Sequence, residues 1–188
     1  MIRKTVPIAL ALAVLAPAAL AKPSAKPTAK PPTAPKAAAL RPRVASSGGF
    51  DTGDPANLVS LLSGAGAKAQ IAKRDSDAVL VSVTSPAANF SAQFAQCDAV
   101  GKGCKAVLFD TQSQGSPSMA QLNGYNQASA LCRGYMDKAG KAHVTMSLLL
   151  YPDDTRAHAV TALAAWQGCI GDFTNFSKNP VAYLAAAP

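Results

Sequence analysis

Two histidines, His143 and His158, and ten aspartates with no glutamate supply all the side-chain acid–base chemistry near neutral pH in this 188-residue chain. A carboxylate beside an imidazole is the pairing that general acid–base hydrolysis uses, because one group tunes and orients the other near the working pH. His158 follows Asp153-Asp154 closely, and His143 falls on the polar side of an alternating segment. No nucleophile context accompanies either one: Gly-x-Ser-x-Gly does not occur. Gly101-Lys102-Gly103 lacks the following helix that a phosphate loop needs, and reads instead as a hairpin turn. The pairs Asp75/Asp77 and Asp153/Asp154 read as turn and capping residues rather than a calcium loop. The expectation is a non-enzymatic protein with no catalytic residue, no metal and no cofactor, both histidines being solvated. A hydrolase built on Asp and His ranks third.

The four cysteines point to bridges rather than to metal or redox chemistry. None of their spacings makes a close ligand pair for zinc, and Cys-x-x-Cys is absent. The segment FSAQFAQCDAVGKGCKAVLFD, Phe90 to Asp110, holds two alternating runs around a short loop. Pairing Cys97 with Cys104 sets Phe94 opposite Val107 and Ala92 opposite Phe109 on one apolar side. Ser91, Gln93 and Asp110 then fall on a mixed opposite side, as in a hairpin with one buried face. This leaves Cys132 and Cys169, read either as a bridge from helix to sheet or as two free buried thiols.

The elements that position these residues follow from periodicity and capping. Asp54-Pro55 opens a short helix with Leu58, Leu61 and Leu62 inward, stopped at Gly64 and Gly66. Residues 67–73 form a weak strand and 78–84 a strong one, with Val79, Val81 and Val83 on one side. The hairpin strands run near 89–97 and 104–112. A second helix spans 116–129, with Met119, Leu122 and Tyr125 inward. Residues 131–137 and 142–151 form another hairpin, and Asp154 caps a long helix to about 176, with stripe Val160, Leu163, Ile170 and Phe173 and Trp166 at its margin. Helices separate groups of antiparallel strands, so the class is α+β: one domain, an antiparallel sheet with flanking helices in the order α-β-β-β(-β)-α-β-β-α.

Residues 1–21 read as a cleaved signal peptide, with Arg3 and Lys4 before a short apolar core and Ala19-Leu20-Ala21 at the cut. Residues 22–49 are a basic spacer, nearly all Ala, Lys, Pro and Thr as far as about Val44, with no apolar face to bury. It either contacts anionic envelope polymer or lipid head groups, or merely spaces. Of eighteen basic residues, eight lie in the leader and spacer, while all ten aspartates lie from Asp51 onward. Ten bases therefore meet ten acids in the folded part. Without excess positive charge there is no nucleic-acid partner. Export places the protein in the periplasm or outside the cell, where disulfides persist.

The element order, the helix LVSLLSGAG, the hairpin with Cys97 and Cys104, Leu122-Asn123-Gly124-Tyr125-Asn126, Arg133-Gly134-Tyr135-Met136-Asp137 and the terminal helix bearing Trp166 together resemble the YbjN domain family, labelled bacterial sensory transduction regulators. The resemblance covers about residues 56–176. It implies a fold like that of type III secretion chaperones, and a binding or regulatory role with no catalytic residue to carry over. Where that family has an aromatic such as Trp between the two asparagines, Tyr125 stands here.

Asn123, Tyr125, Asn126, Arg133 and Tyr135 are the candidate partner-binding surface for a protein or peptide, since Tyr and Arg favour interface centres. The competing reading packs Tyr125 in the core and spends the asparagines on backbone. A homodimer is compatible with the resemblance. The alternative function is a small periplasmic inhibitor or sequestering protein acting on an envelope enzyme through the loop 98–103.

Overall fold

The computed structural model describes residues 49–187. The expected signal peptide, 1–21, and all of the expected spacer except Gly49 lie outside them. The described residues form one α+β domain: a six-stranded antiparallel sheet and four helices. In chain order these are α1 (Pro55–Gly64), β1 (Lys68–Arg74), β2 (Ala78–Thr84), β3 (Asn89–Ala95), β4 (Ala106–Gln112), α2 (Met119–Ala128), β5 (Arg133–Met136), β6 (Ala142–Leu149), α3 (Arg156–Lys178) and α4 (Pro180–Ala186). The strand order is β1-β2-β3-β4-β6-β5, so β6 returns past β5 to pair with β4. No helix among the described residues is long and apolar enough to cross a membrane.

Both disulfides are present, Cys97–Cys104 and Cys132–Cys169. The β3–β4 register is the one the first bridge dictates, with Phe94 opposite Val107, Ala92 opposite Phe109 and Ser91 opposite Asp110. The second bridge joins the start of β5 to the middle of α3.

Period-two alternation sends Val79, Val81, Val83, Ala92, Phe94, Val107, Phe109, Val144 and Met146 to one face, where Leu58, Leu62, Leu122, Tyr125, Trp166, Phe173 and Phe176 from the helices complete a single core. Two aromatic groups anchor it. Trp166 stacks on Phe109 at 5.7 Å and meets Phe90 edge-on at 5.9 Å. Farther along α3, Tyr125 meets Phe173 and Phe176, each at 4.9 Å. Gly134 permits this second group to sit against the sheet: a Cβ there would come within 2.9 Å of both Leu122 and Phe173.

Three local expectations are corrected. The stripe of α3 is Trp166, Cys169, Phe173 and Phe176, all buried, while Val160 is exposed; Trp166 is central rather than marginal. The helix is capped by Thr155, not Asp154. Thr155 has extended backbone and its Oγ1 accepts from His158 N–H at 3.3 Å, whereas Asp154 Oδ2 accepts from Tyr151 N–H at 2.8 Å. Met119, expected inward on α2, is exposed. The unexpected α4 is entered by Asn179, whose Oδ1 accepts from Ala182 N–H, followed by Pro180 in the first turn.

Candidate functional site

The second face of the sheet carries the other residue of every alternating pair. Across it run Ser82, Ser91, Asp110, Thr145 and Arg133 as neighbours on successive strands, with Thr84 opposite Asn89 and, on the last three strands, Gln112, His143 and Tyr135 side by side. The helices spend their apolar sides on the opposite face. Among the described residues, none packs here.

Four side chains on this face form a connected cluster at the β4-β6-β5 end. His143 Nδ1 lies 2.9 Å from Asp110 Oδ1, and the Tyr135 hydroxyl donates to Asp110 Oδ2 at 2.9 Å. An ionised carboxylate only accepts, so Nδ1 carries a proton in this pairing. The Tyr135 and His143 rings stack at 5.0 Å, as cross-strand partners can. His143 Nε2 approaches Asp137 Oδ2 at 3.5 Å without making a hydrogen bond, and is buried. Asp137 is fixed by the β5–β6 turn, where its Oδ1 accepts from Ala139 and Lys141 N–H. The Lys141 bond above all holds its carboxyl below the usual carboxylate range. Burial, then the bond to Asp110, pushes the Tyr135 phenol up to about 12, and the charges of Asp110 and Asp137 add to this.

Chemically, the cluster is a clasp with an acid–base vocabulary. An imidazole working as a general base needs one nitrogen facing a substrate proton. Here Nδ1 is spent on Asp110 and Nε2 is turned toward Asp137, and among the described residues no hydroxyl or thiol nucleophile is bonded to either. The expectation that His143 is an ordinary solvated side chain is corrected: its side chain is only 15% exposed. His158 is mostly exposed and lies 3.2 Å from Asp154. Its Nδ1 also sits 3.3 Å from Thr155 N–H, and one nitrogen cannot both donate to the carboxylate and accept from the backbone at once.

The five expected partner-binding residues do not form one surface. Arg133 and Tyr135 do share the uncovered face and are exposed. Tyr125 is wholly buried under α3 and α4, so it cannot meet a partner. Burial foremost, with Asp172 beside it, raises its phenol pKa well above the ordinary value. Asn126 donates to the Gly134 carbonyl at 3.0 Å and accepts from Gly134 N–H at 2.7 Å. These are the backbone groups that β5, as an edge strand, would offer to another chain, and Asn126 closes them. Asn123 is exposed on α2, away from the clasp. The side of α2 near Gly124 is filled by Leu184 of α4, so no open groove lies along it there.

The β3–β4 loop is internally clamped. Asp98 Oδ1 accepts from Val100 and Lys102 N–H, Arg74 donates to the Val100 carbonyl, and Lys102 pairs with Asp54 at 3.0 Å. Gly101 and Gly103, at φ +74° and +60°, make the turn, and Gly101 lies directly beneath the Arg74 guanidinium. Val100 stands out at its tip.

The clasp was not foreseen, because Asp110, His143 and Tyr135 come from three strands. Their meeting depends on β6 lying between β4 and β5. The available signal was a lone charged Asp110 and a lone His143 on otherwise neutral strands. Among the described residues no cluster of three or more His, Cys, Asp or Glu is arranged for a metal ion. No family model, curated protein or solved structure matches the chain, and the YbjN resemblance rests on the sequence motifs alone.

Proposed function

We propose that this protein is an exported, non-enzymatic binding module, chaperone-like in role, that meets a protein partner through the uncovered sheet face around Tyr135 and Arg133. One observation carries the reading: the β4-β6-β5 end is held in fixed geometry by the clasp, yet among the described residues no helix covers this face of it. Exposed Tyr135 belongs to the clasp and exposed Arg133 lies beside it, and Leu108 and Leu149 lie farther along the same face. Tyr and Arg beside apolar side chains are what interface centres favour. The bond of His143 Nδ1 to Asp110, with Nε2 turned toward a second carboxylate rather than a nucleophile, supports binding over catalysis. The two disulfides support an oxidising compartment, hence removal of residues 1–21 and residence in the periplasm or outside the cell. The spacer, 22–49, then acts as a basic tether.

A second reading is favoured by the clamped loop at 98–103, whose rigidity and exposed Val100 suit an inhibitor inserting into an envelope enzyme. A photo-crosslinking amino acid placed in turn at Leu108, Tyr135, Val100 and Val181 separates the two in intact cells. The sheet-face reading expects one discrete adduct from 108 and 135 and none from 181. An adduct from 100 alone transfers the function to the loop. An adduct of the chain with itself makes the partner a second copy. Absence of any adduct at 108 and 135 overturns the sheet-face reading, and N-terminal sequencing that finds residue 1 intact in the envelope overturns the export reading.

A further inference from the structure

The apolar alternation of β4 breaks at one inward position. Thr111 follows Val107 and Phe109 on the covered side and stands opposite Val144, and its hydroxyl donates to the Asn89 carbonyl at 2.6 Å. On α3, the ridge beside the buried stripe runs Ile170, Thr174 and Ser177, polar at two of its three positions. Between them lies a cleft of about 680 Å³, floored by Thr111 and Val144, with residues 87–89 and 112–115 along its sides. Both sides are built into the fold. Ser85 Oγ donates to the Ala88 carbonyl and accepts from its N–H, and Ser113 Oγ accepts from Gly115 N–H. Gly115 packs so closely on α3 that a Cβ there would come within 2.6 Å of the Ser177 carbonyl oxygen.

We propose that this cleft binds a neutral glycan about two sugar rings long. Size sets the first limit. A cavity of roughly 150 Å³ holds benzene and small-molecule sites run to about 300–1,000 Å³, so this cleft accepts a disaccharide. Hydrogen bonding sets the second. Thr111 and Thr174 spend their protons on backbone carbonyls and offer lone pairs, while Ser113 accepts from Gly115 and offers its proton. Exposed Gln114 has no partner among the described residues and offers both a donor and an acceptor. Sugar hydroxyls, which each donate and accept, answer that mixture, and Ala88, Val144 and Ile170 meet the C–H faces of the rings. Charge sets the third. No carboxylate lines the cleft, and its one charged residue, Lys178, stands in the last turn of α3, where the helix carbonyls offset it. A neutral ligand therefore enters without giving up the hydration of an ion. The cleft reaches the uncovered face only at the strand ends Asn89 and Gln112.

Cellobiose, maltose and N,N′-diacetylchitobiose are the probes, with N-acetyl-trialanine amide as the peptide control. Each is titrated into the disulfide-intact protein while methyl and side-chain amide resonances are followed by NMR. At least one sugar should saturate below about 20 mM, with shifts concentrated at the Ala88, Val144 and Ile170 methyls and the Gln114 amide. Gln114→Leu should weaken that sugar about fivefold, the worth of one hydrogen bond. Thr174→Trp, at an exposed position of α3, fills the cleft and should abolish the shifts while the Val79 and Val81 methyl signals keep their places. Absence of saturable shifts with all three sugars overturns the site, and undiminished binding in folded Thr174→Trp overturns it by placing the sugar elsewhere. Tighter binding of the capped peptide at the same methyls overturns the glycan assignment. An unchanged affinity in Gln114→Leu overturns the role of its carboxamide. If Thr174→Trp does not fold, the parent titrations and Gln114→Leu decide. Crosslinking from positions 108 and 135 is expected to be the same in both variants, so failure here leaves the partner surface standing.

Discussion

The two faces of the sheet are built from alternate residues of the same strands, yet they are held by different physics. The covered face gathers Val, Phe and Met against three helices and two aromatic groups, and its stability scales with apolar area removed from water. The uncovered face has one concentrated device, a carboxylate that receives an imidazole from β6 and a phenol from β5. Area holds the first together without regard to direction, while the second works only at its exact register. A slip of one residue between β4 and β6 would turn His143 inward and Val144 outward. The covered face therefore supplies most of the stability, and the clasp fixes which strands stand side by side at the end where β5 is only four residues long.

That contrast breaks if truncation on the two faces costs the same. Trp166→Ala should destabilise by about 4 kcal/mol, since it removes a fully buried ring stacked on Phe109. Asp110→Asn should cost about 1–2 kcal/mol, because the amide keeps some of the bonding to His143 and Tyr135. Urea midpoints at constant slope measure both; a Trp166 loss no greater than the Asp110 loss would reverse the ranking. The bridges sharpen it further. Replacing both Cys132 and Cys169 by Ala should cost about 4 kcal/mol on chain-entropy grounds, and replacing both Cys97 and Cys104 about 2.5, since the bridged residues stand 37 and 7 positions apart.

How much of this was readable beforehand follows the same division. The register of β3 on β4 came directly from one cysteine pair, because a covalent link between neighbouring strands fixes every pairing up the ladder. The strand cores Val79-Val81-Val83 and Val144-Met146 showed as alternation, and α+β class followed from element order. Trp166 was misplaced because Val160 and Leu163 suggested a stripe rotated from the true one. The helix is turned instead by Cys169, bridged to Cys132, and by Phe173 fitting over Gly134. Tyr125 looked like an interface residue by type, and only the arrival of α3 and α4 above it shows that it is core. The clasp was illegible for a topological reason: nothing local in the sequence states that β6 passes β5 to reach β4.

Asn126 links the two faces, since it reaches from α2 on the covered side to the free backbone of β5. Asn126→Ala should cost about 1–3 kcal/mol for two buried backbone groups left unpaired. It should also open the sheet edge to pairing with another chain. Sedimentation velocity on the variant should reveal dimers or higher species that the parent lacks. A strictly monomeric variant of reduced stability would keep Asn126 as a brace but remove its role in guarding the edge.

The smallest effect expected is the alkaline behaviour of the clasp. Tyr135 has its phenol raised from 10 to about 12, so the folded state holds that proton more tightly than the unfolded chain. Its contribution is fully present below pH 10 and is lost as pH climbs from 10 to 12. Tyr183, bonded to both oxygens of Asp172, is also raised to about 12, by burial first and then by that carboxylate, and loses its contribution over the same window. Tyr135→Phe should therefore flatten the alkaline slope of stability only in part, and Tyr183→Phe should flatten another part, with the two effects adding because the residues sit on opposite faces. Asp137 gives the opposite sign. Its lowered carboxyl pKa makes its contribution present at neutral pH and lost as pH falls through the carboxylate range, so Asp137→Asn should blunt the acid slope and, by removing the smallest of the causes that raise Tyr135, flatten the alkaline one only slightly. Denaturant midpoints from pH 2.5 to 11.5 for the parent and the three variants test this. If Tyr135→Phe leaves the alkaline slope unchanged, neither burial nor the bond to Asp110 holds the phenol proton, and Tyr135 drops out of the clasp.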